Sequence, residues 1–439
     1  MAYQDKYLEY FEAVPKVIER CKTTGNRPVI AFTSNYDAIA TCDEYNFNRL
    51  LDRYLKDEPS YAEEESVDSM EDFARIVSYF AINGLGGEVD ITSAEVVEGL
   101  KEYFEMSYAL GGTCAQSTGA LSAMGVPVLS HFTDQSKEVL ESIDYKDAES
   151  VKDGKLVLLK DCVSGEAPLI HFIMQYNKGD VLRINGREVV IPLSNRLIMQ
   201  YDKVHKYMPV REDFLNYVEE HAENVYSYSV SGFNAILDME IMKERANQLK
   251  EHFEKLKAKN SNVVIYFESA HYISTKIRDY LYETLADHMD ILGMNEEELV
   301  HLTKKMEHPI DKDDIDSIIV GLDYVLETYP AKGIVMHSKD YSLYYGREIE
   351  GVDIEMGLTL GNLLSGTKAR VGHYGTPEDC KVNLELGLSP VGVEFAERLE
   401  HMDTKHKAVL VPSRYMEKPN FTIGLGDTFV AGVQMCFVK

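Results

Sequence analysis

Short apolar runs separated by amphipathic stretches recur along this chain. The runs are PVIAF (28–32), VPVLSHF (126–132), NVVIYF (262–267), MDILGM (289–294), GIVMH (333–337) and AVLVP (408–412). Too short for helices and apolar throughout, they read as strands buried on both faces. In MKERANQLKEHFEKLKAK (242–259), residues Met242, Ala246, Leu249, Phe253 and Leu256 step by four and three, one stripe of a helix. Strand, helix, strand, repeated, predicts an α/β fold whose parallel sheet is covered on both faces. The pattern is plainest from residue 205 to the end.

Two stretches depart from it. Residues 57–72, DEPSYAEEESVDSMED, carry eight acidic side chains in sixteen positions and read as a solvated loop leading into a helix. Residues 167–202 read instead as successive strands with turns at NKGD and NGR, a separate sheet suited to a lid. At 439 residues the chain exceeds what one hydrophobic core usually serves, so a second body is expected.

Charge narrows the function. With 73 Asp and Glu against 45 Lys and Arg, the net charge is −28, which argues against nucleic-acid and anionic-membrane partners. A phosphorylated ligand must then be held locally, by backbone N–H groups, a few basic side chains or a metal. No apolar run is long enough to span a membrane, and the acidic, amphipathic start MAYQDKYLEYFEAV is not expected to act as a secretion signal. Six scattered cysteines without a CxxC pair fit a reduced, cytoplasmic chain.

Four local patterns carry chemistry. In FTIGLGDTFVAG (421–432), Gly424 and Gly426 let backbone N–H groups crowd at a helix start, an anion hole for a phosphoryl group. Asp427 then stands where a substrate hydroxyl would give up its proton; the plain alternative is a glycine turn with a capping Asp. In GMNEEEL (293–299), Asn295 and Glu298 share the first turn of a helix and could order water around Mg²⁺, or simply form a capping box. In SNYDAI (34–39), Asp37 after the strand PVIAF could bind two sugar hydroxyls, or make an Asx turn. In ALGGTCAQSTGALSAMGVPV (109–128), Gly111 and Gly112 permit close backbone approach before a small-residue helix; tight helix–sheet packing would use the same residues.

In this order the segments resemble the ADP-dependent glucokinase and phosphofructokinase family, a branch of the ribokinase superfamily, over residues 28–435. SNYDAI is similar to the sugar-hydroxyl segment, which implies Asn35 and Asp37 as acceptor contacts; GLGGEVD (84–90) adds Glu88, and Gly111 and Gly112 complete the set. IHFIMQYNKG (170–179) and PLSNRLI (192–198) resemble the lid strands, with Asn195 and Arg196. SVSGF (229–233), YFE (266–268), NEEE (295–298), VMHSKDYSLYY (335–345) and VPSRYMEKPNFTIGLGD (411–427) follow in matching order. The resemblance implies a ribokinase-like three-layer α/β/α sandwich with a smaller, discontinuous, β-rich lid. Residues 1–40, 112–165 and 205–439 would form the large domain, and 41–111 and 166–204 the lid. The implied reaction moves the β-phosphoryl group of ADP to a hexose or hexose 6-phosphate, leaving AMP. Mg²⁺ would sit near Glu268, Asn295 and Glu298, adenosine against Val411 and Pro412, and Arg196 on the phosphates.

Two departures stand out. The family's Gly-Gly-Gln reads Gly111-Gly112-Thr113 here, with Leu110 in place of the preceding Arg, and its His-X-Glu reads Tyr266-Phe267-Glu268. The GLGD and NEEE segments also suit an ATP-dependent sugar or nucleoside kinase of the ribokinase type. A catalytically silent sugar or nucleotide sensor is the third reading, and the intact Asp427 with its anion hole speaks against it. The acceptor sugar and the oligomeric state are left open.

Overall fold

The computed structural model describes residues 3–62, 65–143, 146–416 and 418–438. Its strands are β1 (Arg27–Phe32), β2 (Asn35–Thr41), β3 (Gly87–Asp90), β4 (Met106–Gly111), β5 (Val128–Phe132), β6 (Ala148–Lys152), β7 (Lys155–Leu158), β8 (Ile170–Tyr176), β9 (Val181–Ile184), β10 (Arg187–Val190), β11 (Asn195–Tyr201), β12 (Val225–Val230), β13 (Val264–Glu268), β14 (Ile291–Asn295), β15 (Gly333–His337), β16 (Tyr341–Gly346) and β17 (Lys407–Pro412). Ten of them form one sheet in the order β17-β16-β15-β14-β13-β12-β1-β5-β6-β7. From β15 to β6 neighbouring strands are parallel; β16, β17 and β7 add antiparallel edges.

All six apolar runs are strands of this sheet. Between two of them lies β12, VYSYSV, which the apolar criterion passes over. Its six residues are all buried although the middle four are tyrosine and serine. Helices cover both faces, as period-3.6 stripes beside two-sided strands require. On one side Met239–Lys259 buries Met242, Ala246, Leu249, Phe253 and Leu256, the five residues of the sequence stripe. On the other lie Thr113–Ala123, Ile354–Val371 and Leu425–Gln434. The result is the three-layer α/β/α sandwich.

A second sheet, β3-β11-β8-β2-β4, forms the smaller body, and β9–β10 make a separate hairpin. The NKGD and NGR turns fall between β8 and β9 and between β9 and β10, the latter with Asn185 and Gly186 at φ 48° and 79°. Helices Glu44–Tyr54, Met70–Asn83 and Ala94–Tyr103 cover one face, where Phe47, Phe73 and Leu100 pack on Phe172, Met174 and Leu197. Side chains alternate along a strand, so the residues between these point to the open face. Those are Asn35, Asp37, Glu88, His171, Arg196 and Gln200.

One expected boundary moves. β2 pairs along its length with β4 and β8, so residues 35–40 belong to the smaller sheet, not to the large domain assigned up to residue 40. NYDAIAT puts Asn35 and Asp37 on one face and Ala38 and Ala40 on the other, the pattern of a half-buried strand and not of the alternative Asx turn. The acidic loop leads into the Met70–Asn83 helix as expected, with Arg75 gathering Glu65 and Asp72 and Val67 bridging to Ile91. Glu63 and Glu64 of that loop, and Glu417 of the C-terminal segment, lie outside the described residues.

Candidate active site

From β1 the neighbours β5 and β12 lie on opposite sides and their connections diverge, the place where open α/β sheets leave a crevice. The open face of the smaller sheet stands over that crevice. Between them lies a cavity of about 410 Å³.

The smaller sheet supplies one wall. Asn35 Nδ2 donates to Asp37 Oδ1 at 2.6 Å, so the amide orients the carboxylate. Gly111 lies across from Asn35 in β4, and a Cβ there would overlap both side chains. Gly111 therefore backs the pair without lining the cavity; Gly112, at φ 86°, does line it and opens the next helix. Burial pushes Asp37 up to about 6, against the pull of His171 and Asn35. Glu88 accepts from Gln200 Nε2 at 3.0 Å and Asn234 Nδ2 at 3.5 Å, and burial raises it too. Arg196 is the sole Lys or Arg among the lining residues.

Sequence reading missed His171. It lines the cavity from β8 and meets Asp202 Oδ2 at 3.1 Å, while His205 Nδ1 meets the same oxygen. Burial would raise Asp202, but the two imidazoles hold it well below the carboxylate range. The signal was the alternation of IHFIMQY, which puts His171 on the face of Asp37.

The opposite wall is the start of the helix Leu425–Gln434. Gly424 is its N-cap, at φ 66°, a conformation that favours glycine. Gly424, Gly426 and Asp427 all line the cavity, where the first-turn N–H groups have no intrahelical partner. Ser117 Oγ donates to the Asp427 carbonyl at 2.7 Å, fixing this turn to the helix Thr113–Ala123.

The third wall comes from three neighbouring strand ends. Glu268 ends β13, Asn295 ends β14 and His337 ends β15. His337 Nε2 lies 2.9 Å from Glu268 Oε1, with its ring against Gly426 and Phe429. Asn295 and Glu298 do form the capping box, at 2.9 and 3.0 Å, and both still line the cavity. Burial and the charge of Glu268 push Glu298 up to about 8. Tyr266, standing where the resemblance puts a histidine, is fully buried with its hydroxyl against Gly293. The imidazole beside Glu268 is supplied by His337, a residue at a strand's C-terminal end like the others.

Val411 and Pro412 are not brought to the cavity. The Val411 side chain points into the core and its carbonyl accepts from Asn362 Nδ2; the Pro412 carbonyl accepts from Tyr7. Alternation in β17 turns this segment inward. A separate groove of about 330 Å³ opens beside it, lined by Tyr341, Val391, Phe395 and Glu296 among others.

A profile of the ADP-specific phosphofructokinase/glucokinase conserved region matches residues 26–435. The chain belongs to this family. It is thereby an ADP-dependent sugar kinase, a phosphotransferase. It is 24% identical to an ADP-dependent glucose/glucosamine kinase of Pyrococcus abyssi, over 98% of this chain and 97% of that protein. It is 23% identical to an ADP-specific phosphofructokinase of the same organism, over 93% and 96%. In fold it is similar to an ADP-dependent kinase solved with fructose-6-phosphate and ADPβS, with TM-score 0.81, 20% identity and coverage of 100% of this chain and 99% of the other. A hypothetical ADP-dependent phosphofructokinase from Pyrococcus horikoshii gives TM-score 0.76 at 20% identity, over 94% and 98%. No described helix is long and apolar enough to cross a membrane.

Proposed function

We propose that this kinase transfers the β-phosphoryl group of ADP to a hydroxyl of an unphosphorylated hexose, releasing AMP. The observation that carries the choice of acceptor is the charge of its wall. Asp37 and Glu88 line it, and Arg196 is the sole Lys or Arg among the lining residues, with Lys368 buried behind Gly424, so a sugar phosphate at that wall would meet more anionic than cationic groups. Asp37 and Glu88 accept hydrogen bonds from sugar hydroxyls, and the Asn35 amide orients Asp37. Asp427 takes the proton of the attacking hydroxyl, whose oxygen forms the new bond to the β-phosphorus as the bond to AMP breaks. The N–H groups from Gly424 to Asp427 hold the phosphoryl oxygens as charge builds on them. Arg196 reaches the nucleotide phosphates from the lid sheet. The adenosine lies in the groove beside Tyr341 and Phe395, not against Val411 and Pro412.

The donor set suits Mg²⁺. Glu268 is buried and Glu298 half-buried beside it, neither paired with a Lys or Arg among the described residues; Glu268 Oε2 has no hydrogen bond of good geometry, and Asn295 adds an oxygen. Carboxylates and an amide are hard ligands that can hold this ion through its waters. When bound it would neutralise diphosphate charge. Glu298→Gln keeps the capping geometry, so it should raise the Mg²⁺ concentration needed for half-maximal activity roughly 10-fold or more while leaving the sugar KM within about twofold. A change in thermal stability alone would mean that Glu298 only caps its helix.

The reading is tested with MgADP against glucose, glucosamine, fructose 6-phosphate and glucose 6-phosphate, following AMP release. The expected result is a kcat/KM at least about 10-fold higher for an unphosphorylated hexose. Preference for fructose 6-phosphate would assign Arg196 to the sugar phosphate instead.

A further inference from the structure

Lys368 occupies the last turn of the helix Ile354–Val371 and is 6% exposed. Its Nζ hydrogen-bonds Gln116 Oε1 and lies 4.5 Å from the centroid of the Tyr374 ring. Among the described residues it makes no salt bridge with a carboxylate, although a buried ammonium normally needs one. Gln116 is clamped: Oε1 also accepts from Tyr374 Oη at 2.8 Å, and Nε2 donates to the Leu110 carbonyl. The assembly touches the anion hole. A Cβ on Gly424 would come within 2.8 Å of Lys368 Nζ and 2.7 Å of Gln116 Cδ.

We infer that Lys368 is the buried cation of the transfer site: behind Gly424 and tied to Gln116, it faces Asp37 and Asp427 and supports the negative charge of the phosphoryl group in transit. The inference rests on the reading given under Proposed function. A side chain there for packing alone would avoid the cost of burying a charge. Thr113 and Leu110 stand where the family resemblance places a glutamine and an arginine. Gln116, one helical turn after Thr113 and bonded to Leu110, supplies an amide to this wall, and Lys368 supplies the cation from another helix. Lys368 acts through Gln116 and the field at Gly424, as a positioning residue.

The groups facing it are few. Asp427 comes from the helix Leu425–Gln434, Asp37 from β2 and Tyr374 from the turn after its own helix. Cys380 lies one residue along against Thr367, and Arg370 is engaged by Asn383 and the Asp379 carbonyl. Burial lowers Lys368 to about 8 while Asp427 and Asp37 oppose that shift. The charged form is the active one, so activity is present below this value and lost as pH rises through it.

The experiment is the pH profile of kcat/KM with MgADP and a non-titrating hexose, for wild type, K368M and Y374F. Wild type should show an alkaline fall centred near 8. K368M, in which an apolar side chain of similar length fills the buried site, should lose roughly 10- to 100-fold at neutral pH and lack that fall. Y374F removes the other donor to Gln116 Oε1 and should keep the fall. Wild-type kcat/KM and profile in K368M overturn the inference, as does loss of the fall in Y374F as well, which would make the network a support for Gln116 only. Wild type without ADP-dependent turnover overturns the functional reading and this inference together. A K368M protein that does not fold is replaced by K368R, whose guanidinium does not titrate in this range and should carry the fall to higher pH; an unmoved fall overturns the inference.

Discussion

Asp427→Asn leaves the protein folded and able to bind ADP, and lowers kcat by a factor of roughly 10² to 10⁴. The amide fills nearly the same volume as the carboxylate. The hydrogen bond that fixes this turn reaches the backbone carbonyl of Asp427 from Ser117, so it survives the exchange. What is lost at the helix start is one favourable charge, worth about 0.3 to 1 kcal/mol, too little to unfold a domain with this core. What is lost in the reaction is larger, because an amide oxygen does not take the proton that the attacking hydroxyl must shed. Steady-state kinetics with the best hexose, beside a thermal melt and an ADP titration, separate the two. A kcat within threefold of wild type would hand the base role to another carboxylate of the cavity, with Asp37 the next candidate.

The site was more legible than its surroundings. Glycines with positive φ, an Asp in a first helical turn and an Asn-X-X-Glu pair leave marks in sequence because backbone geometry admits few residue types there. Gly424 and Asp427, or Asn295 and Glu298, could therefore be placed before any contact was known. His337 and His171 were harder. Each lies at a strand position that any polar residue could fill, and their meaning comes from Glu268 and Asp202, 69 and 31 residues away. Lys368 was invisible for the same reason: a lysine at the end of a helix normally reads as a charge placed on the C-terminal dipole, and only packing buries it behind Gly424. The apolar criterion found six strands of the large sheet and passed over β12, because the layers that bury VYSYSV on both faces are distant in sequence. Nothing local says which side of an edge strand lines a cavity, and Val411 and Pro412 lie in β17 away from the one that holds Asp427.

MgADP should exceed MgATP by at least about 10-fold in kcat/KM on the same hexose, and by on the order of 100-fold where the displacement reaches a full ångström. The groove proposed for the adenosine and the helix start proposed as the anion hole are held by neighbouring elements of one sheet and its covering helices. Tyr341 stands at the start of β16, paired with Pro412, and Gly424 to Asp427 begin a helix that packs on the helix Ile354–Val371. In the proposed reading the sheet sets the reach from that groove to the helix start, and a diphosphate is the donor that matches it. With a diphosphate seated in the groove, the proposal brings its terminal phosphorus to the N–H groups of Gly424 to Asp427. A triphosphate in the same seat carries its terminal group one phosphate unit further, into the space that the hexose needs beside Asp37. Reacting atoms must approach to about 3 to 3.5 Å, so the longer donor must either leave its adenosine seat or crowd the acceptor. Initial rates with both nucleotides, reading AMP release from ADP and ADP release from ATP, check this directly. Turnover with MgATP equal to or better than with MgADP would mean that the frame holds a longer chain, and would move the donor assignment to a triphosphate.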